Sequence, residues 1–184
     1  MYSLLLSLIA GCAPEPDSDT NTVVVEAGRY QIGPPTNIRA PSYARPRTVT
    51  FTYDYAVSKT EVSIGDWIAV THELPDQFCG DAAVTMLTLN HPVRCISWCE
   101  ALLFANKKSA AEGLDTVYIF GEDTDKLSHE IDCNERAQFV EMNHKANGWR
   151  LPTEAEWEVV SQPDDSVSLQ ERAWFDSNSN GLPH

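Results

Sequence analysis

Three short segments of the chain begin with Ser or Thr and carry Asp or Glu three residues later. In a capping box of this kind, the hydroxyl and the carboxylate each accept a hydrogen bond from the other residue's backbone amide. Behind the first two boxes, apolar residues recur at i, i+3, i+4 and i+7, the period of a helix with one buried face. The boxes pair Ser63 with Asp66, Ser97 with Glu100, and Thr153 with Glu156. They predict three short helices that bury Trp67, Trp98 and Trp157.

Other segments follow the two-residue period of strands. Residues 48–53 alternate threonine with apolar side chains, which is typical of a half-buried strand. A β-branched run at 23–27 predicts another strand, which continues through 30–33. Residues 118–120 and 138–142 are predicted to pair with each other across an acidic loop. The alternation of short helices with short strands predicts an α+β domain.

The charge of the chain excludes two classes of partner. Its formal net charge is -14, whereas a nucleic-acid-binding protein neutralises phosphates with Lys and Arg. The same negative charge disfavours adsorption to anionic lipid head groups. No run of eighteen or more apolar residues is present, so the sequence predicts no membrane-spanning helix.

The N-terminus has the pattern of an export signal. Residues 4–10 are an apolar run that ends in Gly11 and Cys12, which resembles a bacterial lipobox. This pattern predicts a signal peptide at 1–11 and a diacylated Cys12 that anchors the chain to a membrane through lipid. Residues 12–22 would form an acidic tether, and 23–184 the domain. Ala13 after the cysteine favours an outer-membrane-anchored lipoprotein of the bacterial cell envelope.

Four cysteines remain once Cys12 is assigned to lipid. In an exported domain, cysteines usually form disulfide bonds. We expect Cys95 and Cys99 to bond separately to Cys79 and Cys133, in an order that the sequence leaves open. The alternative is a zinc site that combines Cys95, Cys99 and Cys133 with His129, although this spacing matches no standard zinc finger.

Residues 150–158, R-L-P-T-E-A-E-W-E, are the most specific motif of the chain. The motif resembles a signature of the formylglycine-generating enzyme (sulfatase-modifying factor) family. Residues 28–33, 59–63 and 91–101 resemble further segments of that family in the same order. The charged and aromatic residues of the motif are Arg150, Thr153, Glu154, Glu156, Trp157 and Glu158. Their spacing indicates helix capping and ion pairing rather than acid–base catalysis.

The resemblance implies a C-type-lectin-like mixed fold with short helices and much coil, incomplete at its C-terminus. It also implies a cofactor. In the oxidases of the family, a copper ion bound by two C-terminal cysteines converts a substrate cysteine to formylglycine, and those cysteines would lie after residue 184. No catalytic or cofactor-binding residue is therefore assigned within this chain. Copper would apply only with that further region, and Asn178 is a candidate for the family's structural Ca²⁺ site.

Three functions are compatible with these features. The favoured one is a lipid-anchored exported protein whose domain binds or scaffolds a protein or peptide ligand without catalysis. The second is the N-terminal part of a copper-dependent oxidase that modifies a cysteine of exported proteins. The third is a truncated gene fragment without stable activity.

Overall fold

A computed structural model defines the strands and helices of the chain. It describes residues 8–11, 21–34, 45–75, 88–120, 140–162, 168, 175 and 177–179. The strands are β1 (Ile9–Gly11), β2 (Thr22–Val25), β3 (Gly28–Ile32), β4 (Arg47–Phe51), β5 (Tyr55–Ser58), β6 (Tyr118–Ile119), β7 (Glu141–Met142) and β8 (Trp149–Arg150). The helices are α1 (Ile64–Thr71), α2 (Trp98–Ala111) and α3 (Glu154–Val160). This mixture confirms the predicted α+β class.

The described strands form one four-stranded sheet and two antiparallel pairs. The larger sheet has the order β2-β5-β1-β8, and the pairs are β3 with β4 and β6 with β7. In β4, Val49 and Phe51 turn inward while Thr48 and Thr50 face solvent, as the alternation predicts. Tyr118 pairs with Met142, which confirms the predicted pairing of these two segments.

All three predicted capping boxes are present. In each, the hydroxyl of the capping residue accepts from the amide three positions on, and the carboxylate there accepts from the capping residue's amide. Each box thus satisfies two amides that lack a partner within the helix itself. The boxes explain why α1, α2 and α3 begin at the residues where they do.

The prediction that every box opens a helix with a buried tryptophan is wrong for two of the three. Trp67 is buried and stacks on Phe104, with ring centroids 5.1 Å apart. Trp98 is 44% exposed because it is the first residue of α2, where a side chain points back beyond the packed part of the helix. Trp157 is 51% exposed because Ala155 and Val159 form the inner face of α3, and two positions turn a helix by about 200°.

The core has two clusters. One joins α1 and α2 to the inner faces of β5 and β8, and includes Trp67, Phe104 and Trp149. The other fills the space between the larger sheet, the β3–β4 pair and α3, and centres on Phe51 and Tyr55. Each fully buried side chain of this size contributes about 1.5–3 kcal/mol. The second cluster is the one on which the 150–158 motif rests.

Gly148 allows β8 to lie close against α2. A β-carbon at this position would be 2.0 Å from the backbone oxygen of Asp115 and 2.5 Å from the Ser109 hydroxyl oxygen. That hydroxyl accepts a hydrogen bond from the Trp149 amide at 2.7 Å and donates to the Ala105 carbonyl at 2.8 Å. The strand that carries Arg150 is therefore fixed directly to the longest described helix.

Strand β1 overlaps the segment predicted as a signal peptide. Leu8 and Ile9 have no exposed surface, and Ile9 pairs with Val57 of β5 on one side and Arg150 of β8 on the other. Cys12 lies outside the described residues. Within the described part of the chain, no helix is long and apolar enough to cross a membrane.

Candidate functional site

The 150–158 motif surrounds one buried carboxylate. Glu156 has no exposed surface, and its side chain points from the first turn of α3 towards the end of β8. Arg150 donates to it through both terminal nitrogens, with Nη2–Oε1 at 2.5 Å and Nη1–Oε2 at 2.8 Å. Such a two-bond pairing of guanidinium and carboxylate fixes the orientation of both groups. The strand and the helix are thereby joined through their side chains.

Three more donors complete the environment of this carboxylate. The Thr153 amide and hydroxyl donate to Oε2 at 2.7 and 2.8 Å, and the Tyr53 hydroxyl donates to Oε1 at 2.9 Å. A carboxylate has about four lone-pair positions, so five hydrogen bonds leave none for a further partner. Glu156 therefore has no capacity left to bind a metal or to accept a proton from a substrate.

Burial and charge act in opposite directions on this pair. Burial alone would raise the pKa of Glu156, but the hydrogen bonds from Arg150 and Thr153 and the positive charge of Arg150 lower it from 4.5 to about 2. Burial likewise works to lower the pKa of Arg150, and its interactions with Glu156 outweigh burial and raise that pKa. Both groups are charged at neutral pH.

Tyrosines from separate segments of the chain enclose the ion pair. The Tyr55 hydroxyl donates to the Glu156 carbonyl at 3.3 Å, and the Leu151 amide donates to the Tyr118 hydroxyl at 2.9 Å. Burial, followed by the neighbouring carboxylate of Glu156, raises the pKa of Tyr53 and Tyr55. Burial also raises the pKa of Tyr118. These phenols therefore stay neutral, and their hydroxyl groups form hydrogen bonds around the ion pair.

The remaining charged residues of the motif attach α3 to the β3–β4 pair. Glu158 accepts from the Gly33 amide at 2.7 Å and lies 3.5 Å from the Arg47 guanidinium. Glu154 lies 3.6 Å from Arg47, but its side chain is 84% exposed, so solvent screens this contact. The structure thus brings Arg150, Thr153 and Glu156 into one buried network and leaves Glu154 and Trp157 at the surface.

The tyrosine contribution could not be foreseen from the motif itself. Tyr53 and Tyr55 are distant from Glu156 in sequence, and the separation of the first pair is 103 residues. The only local signal is that residues 51–55 carry three aromatic rings. Phe51 and Tyr55 pack edge to face with centroids 5.4 Å apart, which holds the hydroxyl of Tyr55 towards α3.

Of the predicted disulfide cysteines, the structure describes Cys95 and Cys99. Cys95 and Cys99 are each disulfide-bonded, and Cys79 and Cys133, their predicted partners, lie outside the described residues. The pairing stays a prediction. A disulfide sulfur is not a thiolate, so these two residues in this state cannot serve the alternative zinc site, and His129 also lies outside the described residues.

The described residues show no cluster of acidic, His or Cys side chains for the copper or calcium that the resemblance implies. Among them, no three or more His, Cys, Asp or Glu side chains converge as metal ligands. The two described cysteines are engaged in disulfide bonds rather than available as a thiolate pair. Asn178 accepts a hydrogen bond from the Phe175 amide at 2.7 Å, which is the geometry of a turn. In this state the two cysteines cannot supply a copper-binding thiolate pair, and calcium at Asn178 stays a prediction.

Comparison with known proteins places this geometry in a family. A model of the sulfatase-modifying factor enzyme 1-like domain matches residues 10–178. Chaperone protein LppX of Paenibacillus barcinonensis is 27% identical over 194 aligned residues, which cover 98% of this chain and 64% of that protein. The relative is therefore the longer of the two, and about a third of its length has no counterpart in this chain.

Two solved structures share the fold. Treponema denticola variable protein 1 is 28% identical with a TM-score of 0.60, over 76% of this chain and 51% of its own. The crystal structure of CarF is 23% identical with a TM-score of 0.55, over 77% of this chain and 56% of its own. The second likeness concerns the fold alone. The chain spans only about half the length of these two neighbours.

We predict that Glu156→Gln destabilises the protein by about 3–5 kcal/mol, because it leaves the guanidinium of Arg150 buried without a counter-ion. Chemical denaturation measures the change. Glu154→Gln is the matched control, since it removes an exposed carboxylate of the same helix turn and should alter stability by at most about 0.5 kcal/mol. The double variant Arg150→Met/Glu156→Gln should recover part of the loss. Equal effects of Glu156→Gln and Glu154→Gln would contradict a buried ion pair.

The pKa of Glu156 predicts an acid-sensitive stability. Because its pKa is lower in the folded protein than its ordinary value of 4.5, the ion pair contributes fully above that pH and is lost as pH falls towards about 2. The free-energy difference between the protein and Glu156→Gln should therefore shrink on acidification, by about 3 kcal/mol in total. Denaturation curves between these pH values measure it. A difference that stays constant would show that Glu156 is not the titrating group.

Proposed function

Because the chain belongs to the sulfatase-modifying factor enzyme 1-like domain family, we propose that it uses this α+β domain to bind or scaffold exported proteins, without chemistry at the 150–158 motif. One observation carries the proposal. The carboxylate of Glu156, the most deeply buried acid of the motif, already accepts five hydrogen bonds and has no exposed surface. A general base must reach a substrate proton, and this group reaches none.

The similarity to a protein named as a chaperone supports a binding role. Chaperone protein LppX aligns with 98% of this chain, so the similarity extends over nearly all of its sequence. A chaperone holds other polypeptides through surface contacts and needs no catalytic group. Exposed apolar side chains are available for such contacts, among them Leu74, Leu89 and Trp157.

Anchoring through lipid is the second part of the proposal. The apolar run that ends in Gly11 and Cys12 supports it, since an acylated cysteine would hold the domain at the membrane where exported proteins emerge. Processing at Cys12 would also remove residues 8–11, and with them the strand that lies between β5 and β8. Lipid anchoring at Cys12 would therefore require the removal of residues 8–11, whereas the described sheet includes three of them as β1.

We expect the full chain to suppress aggregation of a reduced, denatured secreted protein such as lysozyme, as followed by light scattering. Suppression should rise with the molar ratio of chain to client, because each domain holds a limited number of client segments. An inert acidic protein at the same concentration is the control for charge alone. Unchanged aggregation, together with copper-dependent conversion of a cysteine in a client peptide to formylglycine by mass spectrometry, would establish the oxidase alternative instead.

Lipid attachment has a direct test. We expect the protein expressed in a bacterium to incorporate radioactive palmitate, and Cys12→Ala to abolish the label because the acyl chains have no sulfur to occupy. The intact mass of the native protein gives the mature N-terminus independently. Unlabelled protein that retains residues 8–11 would refute the anchor and would assign those residues to the folded sheet.

A further inference from the structure

A cleft lies beside the first core cluster, away from the 150–158 motif. Its volume is about 380 Å³, and it opens where the ends of β2 and β5 meet α1 and α2. The floor is apolar and is formed by Val62, Val70, Phe104 and Trp149. Hydroxyl and amide groups surround it at the rim. A concave site with an apolar floor and a few polar groups is the usual form of a ligand site.

The charges of the cleft favour a cation. Its lining includes the carboxylates of Glu61, Asp66 and Glu112 and the ammonium group of Lys108. Lys108 bonds to Glu112 at 2.5 Å, and Asp66 accepts hydrogen bonds from Ser63 as the cap of α1. Glu61 is half-buried and has no ion-pair partner among the described residues. Its carboxylate is therefore open to a ligand cation.

The cleft already holds one ammonium group in a recognisable geometry. Nζ of Lys108 lies 4.6 Å from the centre of the Trp149 ring and bonds to Glu112, which also accepts from the indole nitrogen at 2.5 Å. An aromatic face together with a carboxylate is a combination that binds ammonium ions. The wall formed by α2 and β8 therefore already pairs one ammonium group with a carboxylate of the cleft.

An organic cation suits the cleft better than a metal ion. A metal needs several ligand atoms at a common centre, about 2.0–2.6 Å away for Mg²⁺ or Ca²⁺. Within the described part of the chain, no such convergence of acidic, His or Cys side chains exists. Carboxylates spread around an apolar floor instead match a charged head on a methylene stem, since the stem can lie on the floor while the head stays at the rim.

We infer that this cleft binds a lysine side chain of an exported polypeptide, with Glu61 as the carboxylate that pairs with the ammonium group and the half-buried Val70 against the methylene stem. The inference rests on the proposed function and names the chemistry of the client. The formal charge of -14 supports it, because a strongly acidic protein attracts basic segments at a distance.

The test titrates the full chain with Nα-acetyl-lysine-N-methylamide and, separately, with the norleucine analogue, which has an uncharged apolar side chain. Nuclear magnetic resonance follows the indole N–H signal of Trp149, which the hydrogen bond to Glu112 holds in the cleft. We expect a saturable shift with the lysine compound that weakens with added salt, and none with norleucine. Glu61→Gln should weaken binding about tenfold, as for the loss of one charged hydrogen bond.

Two pairs of variants separate the cleft from general charge effects. Glu26→Gln removes an exposed carboxylate that does not line the cleft and, unlike Glu61→Gln, should leave binding unchanged. Ala69→Lys places a fixed ammonium group at the exposed edge of the cleft and should block the probe, whereas Ala110→Lys, exposed on α2 outside the cleft, should not. Both alanines are surface positions, so folding is retained, and thermal unfolding verifies it.

The outcomes are distinguishable from those of the proposed function. Equal binding of the norleucine compound, absence of a saturable shift, or equal binding by Ala69→Lys and Ala110→Lys would each overturn the lysine site. If aggregation of clients is still suppressed in that case, the binding role stands and only the site is wrong. Saturable lysine binding without any suppression would retain the site and remove the chaperone-like role.

Discussion

The buried carboxylate of Glu156 is the point on which three parts of the fold converge. It caps α3 through Thr153, pairs with Arg150 at the end of β8, and accepts from Tyr53 after β4. Removal of a charge from water is costly, and only a complete set of partners offsets that cost. The need to satisfy one acid therefore determines where a helix, a strand and a loop must lie relative to each other.

Short-range sequence patterns predict the helices and strands better than they predict how these elements pack together. The box of Thr153 and Glu156 is predictable because its partners are three residues apart, and capping depends on that spacing alone. Tyr53 is not predictable as a partner, because its contact depends on how the β3–β4 pair meets α3. The exposure of Trp157 has the same origin, because α3 packs on the core through Ala155 and Val159 instead. Helix spacing defines a face, whereas tertiary packing decides which residues cover it.

The cleft shows most clearly what the sequence could not predict. Its lining comes from three strands, two helices and the segment after β5, and none of these segments carries a motif for a ligand. Lys108 and Glu112 are an i, i+4 pair of the kind found on many helix surfaces. In the folded chain this pair also contacts Trp149, through the ring face and the indole nitrogen, and so forms one wall of the cleft. The sequence does not predict that contact, because Trp149 is 37 residues away from Glu112.

The position of β1 constrains the order in which folding and signal-peptide cleavage can occur. Its backbone is hydrogen-bonded to β5 and β8, and Leu8 and Ile9 are enclosed on every side. A peptidase requires its substrate as an accessible, extended segment, which a strand inside a sheet is not. Cleavage before Cys12 must therefore take place before β1 is incorporated between β5 and β8. For a chain that is cleaved there, the rate of folding after export, relative to the rate of processing, would determine which N-terminus the mature protein carries.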